Sequence, residues 1–124
     1  MSNSAVQRSG PQFGRAHVVT VSDRSFAGDR PDASGPAAVA VLRAAGFEVS
    51  SEVVPDGETS VADALAAAVA GGSELVITSG GTGVGPRDRT PEGTLAVIDR
   101  EVVGIAELLR LRGLEASPHA VLTR

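Results

Sequence analysis

Residues 74–92 read ELVITSGGTGVGPRDRTPE, and this stretch decides the fold. Its first part, ELVIT (74–78), is apolar and rich in β-branched residues, which predicts a buried strand. Four glycines follow between positions 80 and 85. Thr90 and Pro91 then predict a helix start, with Thr90 as the cap and Pro91 as the first helical residue. A strand that leads through a glycine-rich loop into a helix is typical of α/β proteins.

The same alternation extends on both sides of this stretch. AHVVTVS (16–22) and FEVSSEVV (47–54) predict two more strands, separated by a polar loop over 23–32 and a helix over 33–45. A helix over 60–70, with Ser60 and Asp63 at capping-box spacing, precedes the third strand. A last helical pattern covers about 104–112. The βαβαβα order predicts a three-layer, Rossmann-like fold with a mostly parallel sheet and helices on both faces.

The chain of 124 residues is expected to form one domain over 16–124. Residues 1–15 are rich in Ser, Gly, Gln and Pro, and we interpret them as a disordered arm. The helix after the third strand should lead into a fourth parallel strand, yet only SPHAVLTR remains after Ala116. Three parallel strands also leave poorly covered edges. We therefore expect the C-terminal part of the domain to be missing.

Composition excludes several classes of function. Aromatic residues make up only 2% of the chain, the net charge is −4, and Lys is absent. These values argue against nucleic-acid binding and exclude Schiff-base chemistry and a P-loop lysine. The absence of Cys excludes thiolate catalysis and Cys-ligated zinc, and we interpret the distant His17 and His119 as structural or surface residues. No apolar run is long enough for a membrane span, and no signal peptide is recognisable, so a cytoplasmic protein is expected.

Candidate site residues follow the three predicted strands. Parallel strands end at one edge of a sheet, which is where ligands bind in such folds. Ser22 and Asp23 follow the first strand, Asp56 follows the second, and the loop begins at Ser79 after the third. Asp23 and Asp56 also have a plainer interpretation as turn residues. Convergence at one edge favours a binding site over that interpretation.

The glycine loop predicts an anion-binding site. Gly80, Gly81 and Gly83 allow close approach of the backbone, and successive amides in such a loop can cradle a phosphate. Thr82 adds a hydroxyl, and the helix that begins at Thr90 directs its positive end to the same region. The spacing fits neither a Walker loop nor a dinucleotide fingerprint. A merely flexible connection is the structural alternative.

Asp88 and Gly35 each have one structural and one functional interpretation. Asp88 is either a turn residue paired with Arg87 or Arg89, or a ligand of Mg²⁺ or of a bound heterocycle, and Asp56 has the same functional interpretation. Gly35, which opens the first long helix, either allows backbone to approach a ligand or is simply part of a helix start.

At these residues the sequence resembles the MoaB/Mog family of molybdenum-cofactor biosynthesis. The likeness rests on VSDR (21–24), DASG (32–35), VPD (54–56), TSGGTG (78–83) and DRTPE (88–92), and it covers nearly everything from 16 to 124. The resemblance implies Mg²⁺- and ATP-dependent adenylylation of molybdopterin. It implies a homotrimer or hexamer that could contact other molybdenum-cofactor enzymes. Family members continue past position 124 into a further strand and an Asn-x-Pro-Gly turn that contributes to the site.

The resemblance also implies roles for individual residues. Asp56 and Asp88 match two key aspartates of the family, expected to be catalytic and to bind Mg²⁺ or the pterin. The remaining expected binding residues are Ser22, Asp23, Gly35, Ser79, Gly80, Gly81, Thr82, Gly83 and Thr90. Two alternatives stay open, a non-catalytic molybdopterin-binding protein and an oligomeric scaffold. An insertase domain or an amidohydrolase relative shares the fold, but its glycine loop differs.

Overall fold

The structure is a computed structural model that describes residues 13–124. Three strands are present: β1 (Arg15–Val21), β2 (Glu48–Val54) and β3 (Leu75–Ser79). The helices are α1 (Asp23–Phe26), α2 (Ser34–Ala44), α3 (Glu58–Ala70), α4 (Thr90–Leu95) and α5 (Val103–Gly113), and a 3₁₀ helix (Pro118–Leu122) follows. The described helices include none that is long and apolar enough to cross a membrane.

The three strands form one parallel sheet in the order β2-β1-β3. Thr20 of β1 aligns with Val53 on one side and Ser79 on the other. The carboxyl ends of all three strands therefore reach the same edge of the sheet, as the alternating pattern predicts. We call this edge, together with the loops that leave it, the carboxyl edge.

Helices cover both faces of the sheet, which confirms the three-layer prediction. Val19 and Val21 point toward α3 and form the core with Val61 and Leu65, all of them buried. The alternate residue Thr20 points the other way, toward the start of α2. Burial of these side chains contributes on the order of 2 kcal/mol each, so β1 is the best-anchored strand.

Glycine at position 93 lets α4 pack closely on α3. A side chain at Gly93 would lie 2.7 Å from the carbonyl oxygen of Glu58 and 2.8 Å from the Cβ of Val61. The absence of a side chain therefore sets the distance between the two helices, and this contact holds the start of α4 beside the carboxyl edge.

Several predicted boundaries needed correction. The loop predicted over 23–32 contains α1, because Ser22 caps a single helical turn through its side chain. The helix α3 begins at Glu58, so Ser60 is not a cap; its hydroxyl donates to the carbonyls of Pro55 and Gly57. Thr90 is the first residue of α4 and its side chain does not cap the helix.

Most of the predicted N-terminal arm lies outside the residues that the structure describes. Residues 1–12 fall outside the described residues, and β1 begins at Arg15, one residue inside the predicted arm. At the other end of the chain, SPHAVLTR forms the 3₁₀ helix, capped by the Ser117 hydroxyl, which accepts a hydrogen bond from the amide of His119.

Candidate active site at the carboxyl edge

The turns after β1 and β2 hold each other through two aspartates. The amide of Asp23 donates to Asp56 Oδ2 at 3.0 Å, and the amide of Asp56 donates to Asp23 Oδ1 at 3.0 Å. This reciprocal pair satisfies both amides and fixes the two carboxylates beside each other. Both interpretations of these residues are therefore compatible with the structure, because each aspartate shapes a turn and also lies at the carboxyl edge.

Arg87 reaches this pair from the glycine loop. Its Nε donates to Asp23 Oδ2 at 3.1 Å, and its Nη2 donates to Asp23 Oδ1 at 3.0 Å and to the carbonyl of Asp56 at 2.9 Å. These hydrogen bonds from Arg87 hold the pKa of Asp23 below its usual value, and the carboxylate in turn raises the pKa of Arg87. The guanidinium thereby joins the third loop to the first two. The sequence pattern offered Arg87 only as a partner of Asp88.

The glycine loop has an unusual distribution of hydrogen bonds. Four consecutive carbonyl oxygens, those of residues 80–83, accept bonds from elsewhere in the chain. Thr90 donates through Oγ1 to Gly80 at 2.9 Å and through its amide to Gly81 at 3.0 Å. Arg124 donates through its amide to Thr82 at 2.8 Å and through Nε to Gly83 at 2.9 Å. The loop is therefore an ordered structure and not merely a flexible connection.

Fixing the carbonyls also fixes the amides. In a planar trans peptide the N–H points opposite to the C=O of the same unit. The N–H groups of Gly81, Thr82, Gly83 and Val84 consequently point away from Thr90 and Arg124, and none of them donates a hydrogen bond to any residue within 13–124. Successive amides without a partner inside the protein are available to bind an anion where they converge.

Glycine is required where the loop begins. Gly80 and Gly81 have φ of 101° and 66°, in the left-handed region that residues with a side chain rarely adopt. A Cβ at Gly80 would collide with the carbonyl oxygen of Val21, and one at Gly81 would collide with Thr90 Oγ1. Both positions therefore need glycine for conformation and for space.

Asp56 and Asp88 lie against this same loop. A Cβ built at Gly81 would be 3.1 Å from Asp56 Oδ1, and one built at Gly83 would be 2.8 Å from Asp88 Oδ2. Asp88 Oδ2 also accepts a hydrogen bond from the amide of Gly85 at 2.9 Å. The two carboxylates therefore border positions of the loop that are two residues apart, and Asp88 pairs with loop backbone and not with Arg87.

The remaining candidate positions have defined structural contacts. Ser22 caps α1, and the hydroxyl of Ser79 donates to that of Ser34 at 3.0 Å. Gly35 is buried, and a side chain there would collide with Asp32 and Thr20. Its amide donates to Asp32 Oδ1 at 3.0 Å, so the structure gives Gly35 a packing reason that the sequence pattern did not suggest.

Sequence reasoning missed two residues that organise the edge, Arg87 as the link to Asp23 and Arg124 as the support of the loop. For Arg87 the sequence offers a weak indication, since an Arg inside a glycine loop commonly pairs with a carboxylate. For Arg124 it offers none, because Arg124 lies 41 positions from Gly83 in a segment without a recognisable motif.

Comparisons with known proteins identify the family of this chain. Residues 17–124 match the family model described as "Probable molybdopterin binding domain". A molybdopterin adenylyltransferase from Pyrococcus furiosus is 36% identical over 119 residues, which cover 95% of this chain and 70% of that protein. A molybdopterin adenylyltransferase from Escherichia coli K12 is 39% identical over 114 residues, covering 89% and 58%.

A solved structure gives the same result for the fold. The crystal structure of a molybdopterin biosynthesis protein from Mycobacterium abscessus superimposes with a TM-score of 0.83 at 47% identity, covering 90% of this chain and 71% of that one. The chain thus spans only part of the length of the proteins it resembles. The family match, the sequence identities and the shared fold together show that this chain belongs to the MoaB/Mog family of molybdenum-cofactor biosynthesis proteins.

Proposed function

We propose that this protein is a molybdopterin adenylyltransferase. The terminal phosphate of molybdopterin attacks the α-phosphorus of ATP, the bond from that phosphorus to the bridging oxygen breaks, and pyrophosphate leaves with the bond electrons. The products are adenylylated molybdopterin and pyrophosphate. The relatives from P. furiosus and E. coli, both molybdopterin adenylyltransferases, support this reaction.

The observation that carries the proposal is the row of four amides that have no partner within residues 13–124 and are bordered by two carboxylates. Phosphoryl-type transfer depends on positioning and charge stabilisation more than on covalent help from the protein. In this proposal the amides of Gly81, Thr82 and Gly83 hold phosphate oxygens, and the Thr82 hydroxyl adds a donor. Ser22, Asp23, Gly35, Ser79, Gly80 and Thr90 shape the surrounding wall.

The two carboxylates suit a magnesium ion that is shared with the substrate. No group of three or more His, Cys, Asp or Glu side chains within 13–124 is arranged to hold a metal. Mg²⁺ commonly takes one or two carboxylates and completes its shell with phosphates and water. Asp56 and Asp88 each use Oδ2 as a hydrogen-bond acceptor, which leaves Oδ1 available. When bound there, Mg²⁺ would neutralise charge on the ATP phosphates.

The protein's own groups orient the two substrates. The paired turns of Asp23 and Asp56 hold one side of the site, and Arg87 prevents Asp23 from repelling an approaching phosphate by neutralising its charge. The amides of the loop on the other side require no rearrangement, because Thr90 and Arg124 have already turned them. Such preorganised donors stabilise charge that develops during transfer.

The proposal extends to assembly and location. We propose a homotrimer or a hexamer, as the resemblance to the family implies, and a cytoplasmic location, where ATP is available. Light scattering on the purified protein tests the assembly, and a monomeric mass would contradict it.

A direct assay tests the catalytic proposal. The purified protein is incubated with molybdopterin and Mg·ATP, and pyrophosphate and adenylylated molybdopterin are measured. We expect both products in equal amounts, and we expect Asp56→Asn to remove them. Asp63→Asn, which neutralises an aspartate on α3, is the matched control and should keep full activity. Retention of molybdopterin without pyrophosphate would identify a non-catalytic binding protein, and the absence of both would point to a scaffold.

A further inference from the structure

Arg124 contacts the glycine loop in its middle and at its last residues. Its backbone amide donates to the carbonyl of Thr82 at 2.8 Å, and its Nε donates to the carbonyl of Gly83 at 2.9 Å. Its Nη2 donates to the carbonyl of Asp88 at 2.6 Å, and its Nη1 donates to Glu92 Oε1 at 2.6 Å. One residue therefore links the middle of the loop, its last residues and the first turn of α4.

These contacts decide where two amides point. The peptide units that contain the carbonyls of Thr82 and Gly83 also contain the N–H groups of Gly83 and Val84. No other described residue donates to those two carbonyls. Glycine has little conformational preference of its own at position 83. The orientation of both amides therefore depends on Arg124, whereas Thr90 orients the two preceding amides.

Glu92 holds the guanidinium in this position. The hydrogen bond from Arg124 is the main cause that lowers the pKa of Glu92, and the charge of Arg89, 3.8 Å away, acts in the same direction. The side chain of Glu92 is only 21% exposed, and within the described part of the chain its Oε2 atom is buried without a hydrogen-bond partner. A carboxylate this enclosed needs its cation, so Glu92 and Arg124 stabilise each other.

We propose that Arg124 is a positioning residue of the active site. It does not touch the substrate; it turns the amides of Gly83 and Val84 toward the phosphate, and Glu92 holds it in place. The choice of phosphate as ligand rests on the proposed function, whereas the effect of Arg124 on the two amides does not. Lys cannot replace it fully, because one ammonium cannot reproduce a planar guanidinium with several fixed donors.

The test compares Arg124→Ala and Arg124→Lys with the unchanged protein. Arg112→Ala is the matched control, because the side chain of Arg112 forms no ion pair or hydrogen bond with the described residues. Amide ¹H–¹⁵N spectra report on Gly83 and Val84, and calorimetry measures the affinity for inorganic pyrophosphate. Thermal unfolding shows whether each variant is folded.

We expect Arg124→Ala to shift and broaden the Val84 amide signal, because the lost side chain donates to the carbonyl of Gly83. The Gly83 signal should change less, because the backbone amide that donates to Thr82 remains in the variant, and the signals of the β1 core should stay in place. The dissociation constant for pyrophosphate should rise by on the order of tenfold, since preorganised donors are lost. The dissociation constant of Arg124→Lys should lie between those of Arg124→Ala and the unchanged protein, and that of Arg112→Ala should equal that of the unchanged protein. Millimolar guanidinium should partly restore the affinity of Arg124→Ala for pyrophosphate. Restoration by guanidinium separates positioning from a general loss of structure.

The outcomes that overturn the inference differ from those that overturn the proposed function. An unchanged Val84 signal in Arg124→Ala would refute the role of the Arg124 side chain, whatever the protein binds. Equal pyrophosphate affinity in all variants would refute it as well. If the unchanged protein binds no pyrophosphate but its amides respond to Arg124, the positioning role stands and the proposed adenylyltransferase function fails.

Discussion

Two polar regions of the molecule use their hydrogen bonds in opposite ways. At the carboxyl edge, Thr90 and Arg124 donate to four carbonyls, and the four amides of the same peptide units have no partner in the described part of the chain. Toward the amino ends of β1 and β2 lies a second group, the histidine cluster of His17, Ser50 and Glu52. There His17 Nδ1 pairs with Ser50 Oγ at 2.7 Å, and Nε2 pairs with Glu52 Oε2 at 2.6 Å.

The difference separates a binding site from a structural network. In the histidine cluster both ring nitrogens have partners within the chain, so the imidazole keeps no free donor or acceptor for a ligand. At the carboxyl edge the bonds within the chain leave a row of donors unused. Polar side chains lie close together in both regions, but the carboxyl edge also has successive backbone amides without a partner among the described residues.

The largest expected effect is the loss of turnover in Asp88→Asn. The amide oxygen of Asn can still accept from the Gly85 amide, so the loop should keep its shape, whereas the negative charge beside Gly83 is lost. If Asp88 acts in catalysis, turnover should fall by about 10²–10³-fold, the usual cost of one lost electrostatic contribution.

Pyrophosphate release measures this effect, and circular dichroism checks the fold. Asp63→Asn serves again as the control for loss of one negative charge. Normal turnover in Asp88→Asn would show that Asp88 only shapes the turn. The carboxyl edge would then have one functional carboxylate, that of Asp56.

Gly80→Ala should cause the next largest effect, on stability. The new Cβ would need both a rare positive φ and the space of the Val21 carbonyl. The free energy of unfolding should fall by roughly 2–3 kcal/mol, measured by urea denaturation. Gly28→Ala is the matched control, since Gly28 has φ of 81° but nothing within 4 Å of its Cβ position. Equal losses in the two variants would mean that the close approach to β1 contributes nothing.

The sequence predicted the fold well because its signals are local. Runs of β-branched residues marked β1, β2 and β3 to within a residue, and the helix predicted over 33–45 corresponds to α2 to within one residue at each end. Helix starts were harder to predict. Ser60 had the spacing of a capping residue, but its hydroxyl bonds backward to carbonyls of the preceding turn, and sequence spacing alone does not distinguish the two.

The site was predictable in position but not in its organisation. Parallel strands must bring Asp23, Asp56 and the glycine loop to one edge, and no further knowledge is needed for that. The bond from Arg87 to Asp23 spans 64 positions and depends on the path of the loop. The contacts of Arg124 depend on that path too. Contacts of this kind follow from the folded backbone and leave no periodic pattern in the sequence.

A smaller effect is expected in the histidine cluster. Glu52→Ala removes the partner of His17 Nε2, and His17 is only 12% exposed. The free energy of unfolding should fall by about 1 kcal/mol, the usual value for one hydrogen bond, and turnover should stay unchanged. Glu48→Ala, on the same strand and exposed, should change neither quantity. A loss of turnover in Glu52→Ala, with stability retained, would give the histidine cluster a functional role and break the comparison.

The smallest expected effect is the pH dependence of the Asp23–Arg87 contact. Because Arg87 lowers the pKa of Asp23 in the folded state, the unfolded chain binds a proton first as the solution is acidified. The stabilisation is therefore complete above the ordinary pKa range of an aspartate and is lost as the pH falls through the lower pKa of the folded state. Arg87 is 64% exposed and Asp23 43%, so the contribution should be small and should shrink in salt.

Urea denaturation of the unchanged protein and of Arg87→Gln, from neutral pH downward, measures this contribution. The difference in unfolding free energy between the two should be constant near neutrality and should narrow below the ordinary range of aspartate. The glutamine amide nitrogen takes the place of Arg87 Nε and keeps a neutral donor toward Asp23, whereas the hydrogen bond from Nη2 to the carbonyl of Asp56 is lost. Any difference that remains at low pH therefore reports that lost hydrogen bond. A difference that stays constant through the acid range would show that Arg87 acts on the turn of Asp56 and not through the charge of Asp23. The carboxyl edge would then depend on hydrogen bonds to backbone carbonyls and not on a paired charge, as the orientation of the glycine-loop amides already does.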